Sequence, residues 1–196
     1  MTFAVQRAGQ SPVRITQQHP NTPMHSLEGL SASGRQMPPA RKAVGVERLS
    51  PSLAESALFR RFMLEFGDEK RAVFTDVIGN ALEIDRGLFL NLRGEWKIMK
   101  GERAPWLLYT AFNIKEPDEI WREPGRRGGR DKLYYLSRFE VGRRGLLGCV
   151  AVFARERGAT GTWAGSTNYA TTDEKYIYRK RNKEILNGEM KYWRRE

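Results

Sequence analysis

The sequence predicts an α+β fold in which N-terminal helices precede an antiparallel, meandering sheet of about four strands. Two segments with apolar residues at helical spacing lie before most of the strands. The longest apolar run, Leu146–Phe153, has the length and β-branched content of a central strand covered on both faces. Runs of helices followed by runs of strands are typical of this fold class.

The apolar run is predicted to be the first arm of a hairpin. Arg155–Gly161 contains two glycines and three charged residues, which indicates a turn. Thr162–Tyr169 then alternates, with one face made of Trp163, Gly165, Thr167 and Tyr169. Hydroxyls and rings on an arm beside the most buried strand are rigidly held, which suits a functional site. An ordinary edge strand with polar residues facing water is the more common alternative.

Three helices are predicted from their start and stop signals. Ser52 is placed as the N-cap of the first, with Glu55 completing a capping box. Pro105 opens the second helix and Pro117 ends it. Thr171 is placed as the cap of the last helix, which carries several basic residues.

Four further extended segments are predicted. Arg71–Ile78 and Leu82–Ile84 flank a Gly-Asn turn and predict a small hairpin. Asp118–Trp121 is predicted to be extended. Leu133–Glu140 alternates as a strand, which puts Tyr135 and Ser137 on one face and Tyr134 and Arg138 on the other.

Composition divides the chain into a leader and a domain. Residues 1–48 are rich in Ser, Pro, Gln and Arg without apolar periodicity, which predicts a disordered basic leader before a domain at 49–196. The net charge of +11 favours a polyanionic partner, nucleic acid first and an anionic membrane surface second. No apolar stretch approaches a membrane span, so we expect no membrane insertion. The single cysteine, Cys149, lies in the apolar run and is expected to be a buried hydrophobe.

The residue types of the predicted domain exclude several chemistries. Both histidines, His19 and His25, lie in the leader, so a Ser-His-Asp system and a histidine acid–base pair are excluded from residues 49–196. No Cys/His spacing suits a metal and no glycine-rich loop suits a nucleotide, so no metal or cofactor is expected. Lys, Arg and Tyr remain. Such groups suit the attack of an RNA 2′-hydroxyl on its own phosphodiester, because the substrate supplies the nucleophile.

A series of motifs over about residues 52–190 resembles one family. It resembles the phage-associated nuclease domain of the Barnase–EndoU–Colicin–RelE superfamily, second phage branch, found in Mu-type head-morphogenesis proteins and polymorphic toxins. The motifs are Asp76-x-x-Gly79, Lys97-x-x-Lys100-x-x-Arg103, the Pro-Asp-Glu-Ile-Trp segment 117–121, Arg138-Phe139, Trp163-x-Gly165-x-Thr167 and Tyr176-x-x-x-x-Arg181. The family tends to close with Arg-x-Gly-x-Leu-Leu-Tyr, whereas this chain continues Arg-Asn-Lys-Glu-Ile-Leu-Asn. That departure leaves open whether the end is a helix or a short strand.

The resemblance implies a ribonuclease site on the sheet face. The catalytic residues it implies are Lys97, Lys100, Arg103, Arg138, Thr167, Tyr176 and Arg181. Lys97 or Lys100 would be base or charge stabiliser, Arg103 and Arg138 the phosphate clamp, Thr167 a positioning hydrogen-bonder and Tyr176 an acid or base. Further basic residues are expected to contact the nucleic-acid backbone: Arg126, Arg127, Arg130, Arg179 and Lys180. Glu119, by contrast, is expected to pair with an arginine.

The predicted function is a metal-independent endoribonuclease, a toxin or a phage or prophage effector, that leaves 2′,3′-cyclic phosphates. Its expected partners are RNA and a cognate immunity protein. It is expected to act in the cytoplasm, with delivery or packaging from elsewhere left open. The alternative is a non-enzymatic basic module that binds nucleic acid during phage head assembly or DNA packaging.

Overall fold

A computed structural model describes residues 13–14, 37–91, 93–99, 103–126, 129–143, 145–184 and 188–194. The helices are α1 (Glu55–Leu64), α2 (Leu107–Lys115) and α3 (Glu174–Arg179), the last continued by a π-helical turn, Lys180–Glu184. The strands are β1 (Val13–Arg14), β2 (Ala72–Thr75), β3 (Ala81–Ile84), β4 (Glu119–Glu123), β5 (Arg130–Val141), β6 (Gly145–Glu156), β7 (Trp163–Thr171) and β8 (Glu189–Trp193). Short 3-10 helices occupy Arg86–Phe89 and Ala104–Trp106. Within the described residues, no helix has the length and apolar character needed to cross a membrane.

The strands form one mixed sheet in the order β1-β2-β3-β7-β6-β5-β4-β8. The α+β class is confirmed, but the prediction of about four antiparallel strands is wrong. The small hairpin β2–β3 joins the main sheet because β3 pairs in parallel with β7, and β1 pairs in parallel with β2. The end of the chain adds both a helix and a strand, since β8 pairs with β4.

Strand β6 lies at the centre of the sheet, as its apolar run predicts. Its residues from Leu147 to Ala154 are buried, and Cys149 among them has no exposed surface. Burial raises the pKa of the Cys149 thiol above its ordinary value, which fits a packing residue rather than a nucleophile.

Two faces of the sheet carry separate cores. On one face, α1 and α2 pack against residues such as Tyr135, Ala151 and Phe153. On the other, which we call the α3 face, Ile177 of α3 packs against Val150 and neighbouring side chains. The predicted alternation of β5 is confirmed, because Tyr134 belongs to the α3 face and Tyr135 to the opposite core.

Strand β7 does not keep the single face that its alternation predicts. A β-bulge inserts Ser166 opposite β6. The alternating series that starts at Trp163 therefore changes face at the bulge. Trp163 packs in the core under α1 and α2, whereas Thr167 and Tyr169 lie on the α3 face. The burial of Trp163 shows that this side chain serves packing.

Two of the predicted caps are wrong. Helix α1 begins at Glu55 with Ala54 as its N-cap, whose side chain makes no capping hydrogen bond. Helix α3 is capped by Asp173, whose carboxylate accepts a hydrogen bond from the Tyr176 amide. The Thr171 hydroxyl accepts from the Asp173 amide instead, so it supports the turn before the helix.

Part of the predicted leader lies against the domain. Arg41 forms a β-bridge with Phe139 at the end of β5, and its guanidinium pairs with the buried Asp118 carboxylate at 3.0 Å. Met37 is buried among the side chains of the α3 face. The segment 37–48, which the sequence analysis placed in the leader, therefore packs against the predicted domain of residues 49–196.

Gly148 sets how closely α3 approaches the sheet. It lies in β6 directly beneath Ile177, and an added Cβ would overlap the Ile177 side chain. Gly148→Ala is expected to lower the free energy of unfolding by about 1–3 kcal/mol, because overpacking displaces α3. Denaturant unfolding measures this. In the double variant Gly148→Ala/Ile177→Ala the loss should be smaller than the sum of the single losses, and strict additivity would contradict the steric account.

Candidate functional site

A lysine and a threonine distant in sequence meet on the α3 face at β7. The Lys97 ammonium donates a hydrogen bond to the Thr167 hydroxyl, with Nζ and Oγ1 3.0 Å apart. Both residues are half-buried. The contact joins two of the residues that the sequence predicts to be catalytic.

The loop that carries Lys97 is fixed at several points. Leu90 and Trp96 form a β-bridge, and the Lys97 amide donates to the Phe89 carbonyl at 2.7 Å. Ile98, the next residue, has no exposed surface and anchors the loop in the core. These contacts limit where the Lys97 side chain can reach.

Two contacts hold strand β7 close to Leu88, which precedes the Lys97 loop. The buried Asn168 amide donates to the Leu88 carbonyl at 2.6 Å. A Cβ on Gly165 would lie 2.6 Å from Leu88 Cγ, so glycine permits this approach. The Trp-x-Gly-x-Thr motif therefore combines a core tryptophan, a close approach and the Thr167 hydroxyl.

Arg103 and two tyrosines form the next part of the site. The rings of Tyr169 and Tyr176 meet edge to face with centroids 5.5 Å apart. Burial lowers the pKa of Arg103, and Tyr176 and Tyr169 act in the opposite direction. Tyr169, which sequence reasoning placed on the strand but not in the site, packs against Tyr176, and both tyrosines favour the charged form of Arg103.

Cations from α3 and its continuation border this pair of rings. The Arg179 guanidinium carbon lies 5.3 Å from the Tyr176 ring centroid, and Lys180 Nζ lies 5.8 Å from that of Tyr169. Burial lowers the pKa of Lys180, and the positive charge of Lys132 adds to that shift. The cluster of Lys97, Arg103, Thr167, Tyr169, Tyr176, Arg179 and Lys180 is called the α3-face cluster below.

Arg138 lies away from the Lys97–Thr167 contact. It pairs in register with Gly148, which pairs with Thr171. Thr171 is four residues beyond Thr167, or about 13 Å along the strand. The Arg138 guanidinium donates to the Tyr178 hydroxyl and to the Pro38 carbonyl, the latter at 2.6 Å.

Arg181 lies inside the protein. Only 2% of it is exposed, and it pairs with the Glu119 carboxylate through Nε and Nη2 at 2.7 and 2.9 Å. The Trp121 indole donates to the same carboxylate at 2.8 Å. The expectation that Glu119 pairs with an arginine is confirmed.

Two of the arginines predicted to contact the nucleic-acid backbone, at the start of β5 and just before it, lie at the surface. Arg126 is exposed, and Arg130 is exposed and pairs with Glu156 at 2.9 Å. Arg127 and Lys100, which the sequence also singles out, lie outside the described residues. Among the described residues, no group of three His, Cys, Asp or Glu side chains is arranged to hold a metal ion.

Comparison with known proteins gives one match. The sequence model of a family described as phage-Barnase-EndoU-ColicinE5/D-RelE like nuclease2 matches residues 57–188, about two thirds of the chain. No curated protein matches the sequence. No solved structure matches it either. The matched residues include every member of the α3-face cluster.

Proposed function

Since the chain belongs to the phage-Barnase-EndoU-ColicinE5/D-RelE like family of nucleases, we propose that it is an endoribonuclease. It cleaves RNA without a metal ion, by attack of the 2′-hydroxyl on the neighbouring phosphodiester. The products are a 2′,3′-cyclic phosphate and a free 5′-hydroxyl.

The hydrogen bond from Lys97 to Thr167 carries the proposal. It fixes an ammonium group and a hydroxyl on the α3 face, where Tyr176 also packs, and the pKa of Arg103 responds to that tyrosine. A fixed array of cations and donors stabilises charge that develops on a phosphorane, and it needs no reorganisation during the reaction. The net charge of +11 supports a polyanionic substrate.

The reaction requires two proton transfers and one stabilised charge. As the 2′-oxygen bonds to phosphorus, its proton passes to a base, for which Lys97 and Lys100 in neutral form are the candidates. Lys97, when protonated, and Arg103 offset the negative charge of the phosphorane, and the Thr167 hydroxyl orients a phosphate oxygen. The bond from phosphorus to the 5′-oxygen then breaks, and the Tyr176 phenol donates a proton to that oxygen.

Two arginines that the resemblance implied for catalysis receive other roles in this proposal. Arg138 holds the segment before α1 through the Pro38 carbonyl, and Arg181 neutralises the buried Glu119. Neither guanidinium is needed to bind the scissile phosphate. The exposed Arg126 and Arg130 provide contacts to the RNA backbone that are independent of sequence and weaken with salt.

The experiment uses purified protein, a labelled single-stranded RNA and the same strand with 2′-deoxy sugars, all in excess EDTA. We expect the RNA to be cut, the 5′ fragments to end in cyclic phosphate and the 2′-deoxy strand to stay intact. Equal cleavage of both strands would contradict the mechanism, because the 2′-hydroxyl is its nucleophile. Tight binding without cleavage by folded protein would favour the nucleic-acid-binding module instead.

A further inference from the structure

Tyr169 has a buried hydroxyl that the protein does not satisfy. Its phenol oxygen is enclosed, yet it has no hydrogen-bond partner among the described residues. A buried polar group without a partner loses its hydrogen bonds to water and gains none in return, so it lowers stability. Phenylalanine would fill the same space without that loss.

Neighbouring tyrosines on the sheet show the usual arrangement. The Tyr134 hydroxyl donates to Glu123 Oε2 at 2.5 Å, and the Tyr135 hydroxyl donates to the Asp76 carboxylate. The sheet therefore supplies acceptors to two buried phenols on β5 and not to the one on β7. This difference sets Tyr169 apart from a tyrosine that only packs.

The position of Tyr169 connects it to the α3-face cluster. It follows Thr167 by two residues on the same face, about 7 Å along the strand. Its ring contacts Tyr176, and Lys180 Nζ lies 5.8 Å from the ring centroid. The positive charge of Arg103 acts to lower the pKa of Tyr169.

The surroundings define what the hydroxyl would bind. Burial nevertheless raises the pKa of Tyr169 well above its ordinary value, so the phenol stays protonated and offers an O–H donor. The cations around it favour an anionic acceptor. A phosphate oxygen carries negative charge and can accept the hydrogen bond that this hydroxyl offers.

We propose that Tyr169 is a further catalytic residue, whose hydroxyl donates a hydrogen bond to a non-bridging oxygen of the scissile phosphate beside Arg103. The inference rests on the proposed ribonuclease function. Binding of the phosphate requires the side chains that enclose the hydroxyl to move apart. A donor in this place is engaged most strongly as charge develops on the phosphorane.

The test compares Tyr169→Phe with wild type in the RNA cleavage assay, with Tyr134→Phe as the matched control. Tyr169→Phe should cleave about a hundredfold more slowly, the effect of removing one preorganised donor. Its melting temperature should be unchanged or higher, because the substitution removes an unsatisfied group. Tyr134→Phe should lower the melting temperature, because Glu123 loses a donor, and should cleave at nearly the wild-type rate.

A phosphorothioate substrate gives a second measurement. Sulfur is a weaker acceptor than oxygen, so one of the two diastereomers should slow the wild type, and this slowing should vanish in Tyr169→Phe. Wild-type rates in Tyr169→Phe, or a thio effect that the variant keeps, would overturn the inference while leaving the ribonuclease function intact. A wild type that cleaves no RNA would overturn the proposed function, and the inference would fall with it.

Discussion

Lys97→Ala is expected to lower the rate of RNA cleavage about a hundredfold. A positioned charge that acts on the transition state contributes about 3 kcal/mol. The melting temperature should hardly move, because the Lys97 side chain contacts Thr167 near the surface and the loop is anchored by Ile98 rather than by the ammonium group. Binding of the 2′-deoxy strand should weaken far less than turnover, since the charge acts mainly on the phosphorane.

Arg93→Ala is the matched control for Lys97→Ala. Arg93 is an exposed cation in the same loop, and the loop contact at this position is made by its backbone amide with Asn91. It should change cleavage only through the weaker attraction of RNA, and that effect should disappear as salt is raised. Equal losses in Lys97→Ala and Arg93→Ala would contradict a specific role for Lys97, because any cation of the loop would then suffice.

Arg181→Met is expected to lower the free energy of unfolding by about 3–5 kcal/mol. The substitution leaves the Glu119 carboxylate buried without its guanidinium, and an uncompensated buried charge is strongly destabilising. For a chain of this length the melting temperature should fall by on the order of 10 °C. Arg179→Met, two residues earlier in the chain and exposed, should shift the melting temperature very little.

A second variant separates the structural role of Arg181 from a catalytic one. In Glu119→Gln/Arg181→Met the buried charge is gone and an amide oxygen remains as acceptor for the Trp121 indole, so much of the lost stability should return. Any cleavage that Arg181→Met loses through unfolding should return with the stability. A stable Arg181→Met variant that fails to cleave RNA would contradict the structural assignment and restore the catalytic role that the resemblance implied.

The sequence by itself determined the strands whose side-chain burial follows a regular pattern along the chain. A continuous apolar run identified β6 as the central strand, and alternation identified the two faces of β5. These predictions hold because the period of side-chain burial is a local property of a strand. The order of the basic and aromatic motifs also identified the family, since it depends on residue types and not on their contacts.

Only the tertiary structure decided which strands meet and which cations face one another. The parallel pairing of β3 with β7 joins segments far apart in the chain, and the bulge at Ser166 moves Thr167 to the α3 face. Arginines look alike in a sequence, but Arg181 pairs with a buried carboxylate, and burial lowers the pKa of Arg103. The role of a charge depends on the counter-charge and burial that folding places around it, and distant residues supply both.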